Sequence, residues 1–150
     1  MKKFTVPAII GILIVIGFAL MAAFKLGDKS PIIAEGRVTL SNELLANARG
    51  IRTLFIITYD ENSPMPMPYG AIKFKLDDDA KAEVIDFKLT KDNLRIMNQA
   101  AKVPTSLKLK ARLDLDGQGG RAQPGDLVGE MSAVPTGSED LELKITTVVE

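Results

Sequence analysis

The sequence predicts a mainly β chain: a single antiparallel β-sandwich, immunoglobulin-like, of about seven strands, preceded by one N-terminal transmembrane helix. Two observations predict it. Stretches of alternating apolar and polar residues recur from residue 33 to the end, divided by Gly, Pro, Asn and Asp turn clusters. An uncharged apolar run stands apart near the start. No internal repeat, heptad seam or low-complexity tail competes with that reading.

The apolar run is the first element. Residues 4–24 read FTVPAIIGILIVIGFALMAAF. As a helix they would extend roughly 31 Å, the thickness of a bilayer's hydrocarbon core. A cleaved signal peptide has a shorter apolar run and an A-x-A-like site, and this segment has neither feature. A pilin-type start needs a Gly before Phe4 and a Glu soon after it, and both are missing. The segment therefore reads as a membrane anchor. Lys2, Lys3 and the terminal amine before it, against Lys25 and Lys29 after it, favour a short cytoplasmic N-terminus and an outward-facing domain. The organisation expected is an anchor over 1–26, a linker over 27–31 and a β domain over 32–150.

The strands follow in order. Residues 34–41 alternate loosely. Residues 53–59 (TLFIITY) form a continuous β-branched and aromatic run, as in a strand buried on both faces. The segment 60–68 (DENSPMPMP) is excluded from helix and central strand by its prolines. Residues 71–76 alternate strictly, with Lys73 and Lys75 opposite Ile72, Phe74 and Leu76. Residues 83–89 alternate as well. Residues 106–115 are the clearest half-buried strand: Leu107, Leu109, Ala111, Leu113 and Leu115 share one face, and Lys108, Lys110, Arg112 and Asp114 the other. Turn chemistry fills 116–123, and strands over 127–134 and 141–149 complete the set. Residues 42–49 read as a short helix between Ser41 and Gly50, and 91–99 as a helical turn or a loop.

Composition closes several function classes. The 150 residues contain no Cys and no His. Disulfides, thiolate nucleophiles, imidazole metal ligands and a Ser-His-Asp triad are thereby excluded. No phosphate loop, nucleophile elbow or paired-carboxylate motif is present, so the chain reads as a non-enzyme without a cofactor and without catalytic residues. The 19 basic and 19 acidic residues balance, which argues against a nucleic-acid partner. Removing Lys2, Lys3, Lys25 and Lys29 from the basic count and Asp28 from the acidic count leaves 15 and 18, a mildly acidic domain.

Four features invite a functional reading. Pro64, Met65, Pro66, Met67, Pro68 and Tyr69 form an extended loop suited to docking a partner. The same Met65 and Met67 thioethers offer a soft site for Cu(I), though no His or Cys completes it. Asp114-Leu115-Asp116-Gly117 echoes a calcium loop but lacks its spacing, and reads as a hairpin turn. Asp77-Asp78-Asp79 reads as a solvated turn. The basic stripes Lys73/Lys75 and Lys108/Lys110/Arg112 read as the wet face of a sheet, with an acidic partner or phospholipid heads as the alternative.

Several stretches, taken in order, resemble a known family. Residues 54–73 run from LFIITY through an acidic turn and PMPMP to a new strand. Glu35-Gly36-Arg37-Val38 precedes them, with Leu44-Leu45-Ala46 after it. Leu76-Asp77-Asp78-Asp79 follows, then Leu109-Lys110-Ala111-Arg112-Leu113 and Ala122-Gln123-Pro124-Gly125-Asp126-Leu127-Val128-Gly129. The set resembles the C-terminal periplasmic domain of the CcmI/CycH family of cytochrome c maturation proteins. The resemblance implies an inner-membrane, single-pass assembly factor with its β domain in the periplasm, and partners among haem-ligation subunits and apocytochrome c. Members of that family also carry a second membrane span and tetratricopeptide repeats, to which capture of the apocytochrome is tied. Here the apolar segment leads almost directly into the β domain. A Met-loop copper carrier and an envelope interaction domain unrelated to cytochromes remain the alternative functions.

Overall fold

The computed structural model describes residues 30–65 and 67–150. The expected transmembrane helix and the linker up to residue 29 lie outside these residues. Among the described residues, no helix is long and apolar enough to cross a membrane. The chain divides after Ser30 into two units, and the second, Pro31–Glu150, is the body described below.

Among the described residues, nine strands form two sheets. In chain order they are β1 (Ile32–Leu40), β2 (Thr53–Asp60), β3 (Pro68–Lys75), β4 (Glu83–Thr90), β5 (Arg95–Ile96), β6 (Ser106–Asp114), β7 (Leu127–Pro135), β8 (Ser138–Ile145) and β9 (Thr147–Val148). The smaller sheet has the order β4-β1-β8 and the larger β5-β3-β2-β6-β7-β9. The mainly β expectation therefore holds, with two short strands beyond the seven expected.

One pairing departs from the antiparallel expectation: β1 lies parallel to β8. Parallel neighbours need a long crossover, and here the crossover is all of the chain between them. Nothing local in either segment signals such a partner.

The core forms from the alternation itself. β6 sends Leu107, Leu109, Ala111 and Leu113 inward at full burial, and β2 adds Leu54, Ile56 and Thr58. From the smaller sheet come Val38, Leu40, Phe87, Leu89, Leu143 and Ile145. Each large apolar side chain buried in this way contributes roughly 1.5–3 kcal/mol.

Several boundaries differ from expectation for local reasons. Residues 42–49 form only a 3-10 turn, Asn42–Leu44, with no side-chain cap from Ser41. β3 begins at Pro68, because a strand's first position tolerates proline. In 91–99 the chain bends and then adds β5. Asn93 holds the bend: its Oδ1 accepts the Thr90 N–H at 2.9 Å, and its Nδ2 donates to the Lys88 carbonyl at 2.7 Å. This carries the chain from the edge of one sheet to the edge of the other.

The expected strand 141–149 is two strands. β8 ends at Ile145, the Thr146 N–H donates to the Val128 carbonyl at 3.1 Å, and β9 continues on β7. The two sheets meet at this corner. A Cβ on Gly129 would collide with the backbone carbonyl of Lys144, so only glycine permits the approach.

Candidate functional site

The Met-Pro loop is built by short-range polar contacts. Asp60 Oδ1 accepts the Asn62 N–H at 2.9 Å, which turns the chain as it leaves β2. Ser63 Oγ donates to the Met65 carbonyl at 3.1 Å and accepts the Met65 N–H at 3.3 Å. The Met67 N–H then donates to the Met65 carbonyl at 2.8 Å. Met65 and Met67 are each 60% exposed, and Pro64 is exposed. Pro66 lies outside the described residues. Pro68 is half-buried. Tyr69, expected in the same contact patch, is buried, and its hydroxyl has no hydrogen-bond partner. Burial raises the Tyr69 phenol above its ordinary pKa.

The larger site lies on the outer face of the six-stranded sheet. The continuous apolar run of β2 suggested burial on both faces. The structure instead alternates it: Leu54, Ile56 and Thr58 are buried, and Phe55, Ile57 and Tyr59 are half-exposed outward. Register places Lys73 of β3 and Arg112 of β6 on either side of Phe55, and Ala71 and Lys110 on either side of Ile57. Arg95 of β5 is the next neighbour beyond Ala71. The Lys73 Nζ stands 5.6 Å and the Arg112 Cζ 5.2 Å from the Phe55 ring centroid. Both cations face the negative side of the ring.

The connection 115–126 between β6 and β7 folds back over this face. The sequence placed Arg112 and Asp114 on a wet surface. They are only 2% and 3% exposed, whereas Leu115, expected in the core, is 59% exposed. Arg112 Nη1 donates to the Gly120 carbonyl at 2.8 Å, and its Nη2 is 2.8 Å from Asp114 Oδ2. Arg112 Nε lies 3.8 Å from Asp126 Oδ2. Asp126 in turn accepts the Leu115 N–H at 3.0 Å and the Gln123 N–H at 2.9 Å. The sequence signal for this was present but ambiguous, since an Asp-rich turn after a strand also describes a solvated hairpin.

The surroundings shift the two neighbouring carboxyls in opposite directions. Desolvation pushes the Asp114 carboxyl up, its hydrogen bond to Asp116 and the nearby Asp126 add to this, and Arg112 opposes. Asp116 is held low by the Gln118 backbone N–H and by Asp114.

A trough of about 660 Å³ lies between β5 and the 119–122 part of the covering loop. Phe55, Ile57, Ala71 and Pro68 give it an apolar lining. Arg95 and Arg121 stand among its lining residues on opposite sides of β2 and β3, and no carboxylate lines it. At Tyr59 and Lys110 it adjoins a second hollow of about 380 Å³ that reaches Met65 and Lys108. There Glu130 pairs with Lys108 at 2.7 Å and Lys110 at 3.2 Å. The hydrogen bond from Lys108 holds the Glu130 carboxyl low, and the same bond raises Lys108.

Among the described residues, no three His, Cys, Asp or Glu side chains group closely enough to hold an ion. Asp79, in the acidic turn, is 2.7 Å from Arg52 Nη1 and accepts the Gly50 N–H at 3.0 Å. Comparison with known proteins finds no matching family model, no matching curated protein and no matching solved structure.

Proposed function

We propose that this chain is a non-enzymatic, membrane-anchored periplasmic assembly factor in cytochrome c biogenesis, docking haem-ligation subunits or apocytochrome c. The observation that carries this reading is the trough on the outer sheet face. A row of half-exposed apolar side chains, Phe55, Ile57 and Tyr59, along the outer face of one strand suits a surface that meets a partner. The resembling stretches support it by their placement. Residues 54–73 make β2, the Met-Pro loop and β3, and residues 109–113 lie on β6, so both border the trough. The same reading takes the two sheets as an immunoglobulin-like sandwich that follows one transmembrane helix.

Affinity capture with the tagged full chain in detergent, against haem-ligation subunits and an apocytochrome, tests it. Enrichment of either is expected. Recovery no better than with an unrelated membrane-anchored β domain rejects it in favour of an envelope interaction domain without a cytochrome role. A second reading rests on the paired exposure of Met65 and Met67, a soft-ligand site for Cu(I). Cu(I) titration of the full chain, with and without Met65→Ala/Met67→Ala, decides it: binding unchanged by the double substitution removes the copper carrier.

A further inference from the structure

The trough has a chemistry specific enough to name what it takes. Its lining includes Arg95, Lys110, Arg112 and Arg121 and no Asp or Glu, although the domain as a whole is mildly acidic. The four cations are not equivalent. Arg112 is buried and engaged by Gly120 and Asp114, and Lys110 is paired with Glu130. Arg95 and Arg121 are exposed, one on the β5 side and one on the covering loop. Between them lie Phe55, Ile57 and Ala71.

We propose that this trough is the docking site for an amphipathic protein segment whose apolar stripe seats on Phe55 and Ile57 and whose acidic side chains pair with Arg95 and Arg121. The inference rests on the docking reading above and names the partner's chemistry. Charge complementarity selects acidic flanks, because a basic segment would meet unopposed arginines and an uncharged one would leave them desolvated. The shape selects a chain segment over a small molecule. A small-ligand site buries most of its ligand, whereas this hollow is an open trough that continues along β2 past Tyr59 toward Met65. The far end also differs in charge. Asp60, Glu61 and Glu130 line it together with Lys108 and Lys110, so the segment's orientation is set as well: acidic residues at the Arg121 end, a basic residue toward Met65.

The test uses the full chain in zwitterionic detergent and fluorescein-labelled amphipathic peptides of about 20 residues. One peptide carries a Leu stripe flanked by Glu, and its counterpart carries Lys at every Glu position. Anisotropy titration should favour the Glu peptide by about tenfold or more at low salt, with the preference shrinking as salt rises. In Arg95→Glu/Arg121→Glu, with an unchanged circular dichroism spectrum and melt, the preference should reverse. Equal binding of the two peptides, or an acidic preference untouched by the double reversal, overturns the proposal. So does binding to phosphatidylglycerol vesicles that depends on the two arginines while neither peptide binds, which would make the face a membrane contact. The two readings fail separately. Capture of cytochrome assembly partners that survives the double reversal defeats the trough but not the function. Selective Glu-peptide binding without any such capture does the opposite.

Discussion

The outer faces of the two sheets are alike in one respect and opposed in another. Both carry charged side chains around a shallow hollow, of about 560 Å³ on the smaller sheet and 660 Å³ on the larger. On the smaller sheet the charges answer each other in the open. Arg37 lies 3.6 Å from Glu83 and 4.0 Å from Asp86, and Lys88 lies 3.6 Å from Glu35, with every partner two-fifths exposed or more. On the larger sheet the charges sit against an aromatic ring and under a loop. The difference teaches that alternation of polar and apolar residues does not define a wet face. What covers the strand decides whether its charges are solvated.

The largest test of that contrast is Arg112→Met against Arg37→Met. Removing Arg112 strips a buried carboxylate of its partner and unties the covering loop, so a loss of about 3–5 kcal/mol is expected. Removing Arg37 should cost about 0–1 kcal/mol, because its partners stay in water. Denaturant unfolding of both variants measures it, and equal losses would dissolve the distinction between the faces.

Next comes the corner that keeps the faces apart. Gly129→Ala forces a Cβ onto the Lys144 carbonyl, and backbone must move to relieve it. A loss of about 1–3 kcal/mol is expected in the same assay. A neutral outcome would mean that the corner is looser than drawn.

Asp114→Asn probes the buried cluster by pH rather than by magnitude. The Asp114 carboxyl is raised on folding, so it favours the folded state below the ordinary carboxylate range and loses that contribution as pH climbs through its folded value. An amide has no proton to lose. The variant's melting temperature should therefore fall less than the parent's across that rise in pH. A parallel fall in both would mean that the Asp114 carboxyl is not raised on folding.

The smallest effect belongs to Glu130→Gln. Glu130 is held low and Lys108 high by the same bond, so the pair stabilises above the ordinary carboxylate range and below the ordinary lysine one. Its exposure limits the loss to about 0.5 kcal/mol, fading as pH falls through the folded value of Glu130.

How much was legible in the sequence follows the same line. The inward faces of β3 and β6 were readable because a period of two in Leu, Ile and Phe has one meaning in a two-sheet domain. The outward apolar residues Phe55, Ile57 and Tyr59 were visible as letters but were assigned to burial, since no local pattern shows that the far side of a strand is only half covered. Arg112 and Asp114 were misplaced for the complementary reason: the cover comes from residues 115–126, whose turn chemistry says where the chain bends and not what it bends over. Tyr69 was grouped with its exposed neighbours by adjacency, although a register shift beside it in β3 breaks the alternation and leaves it packed in the core.

The parallel contact of β1 with β8 has a consequence for the order of events in the molecule's making. Thr39 Oγ1 donates to Glu142 across 103 positions of sequence, and Val38 finds its neighbour Leu143 at a similar remove. A growing chain can pair β2 with β3 early, but the first strand waits for one of the last. Without β8, β1 has only β4 beside it in the smaller sheet, and two strands alone are marginal in water. Contacts of such long span form slowly. The span of these contacts therefore predicts that the smaller sheet closes late in folding, with protection of the β1 amides lagging that of β2 in pulsed hydrogen exchange.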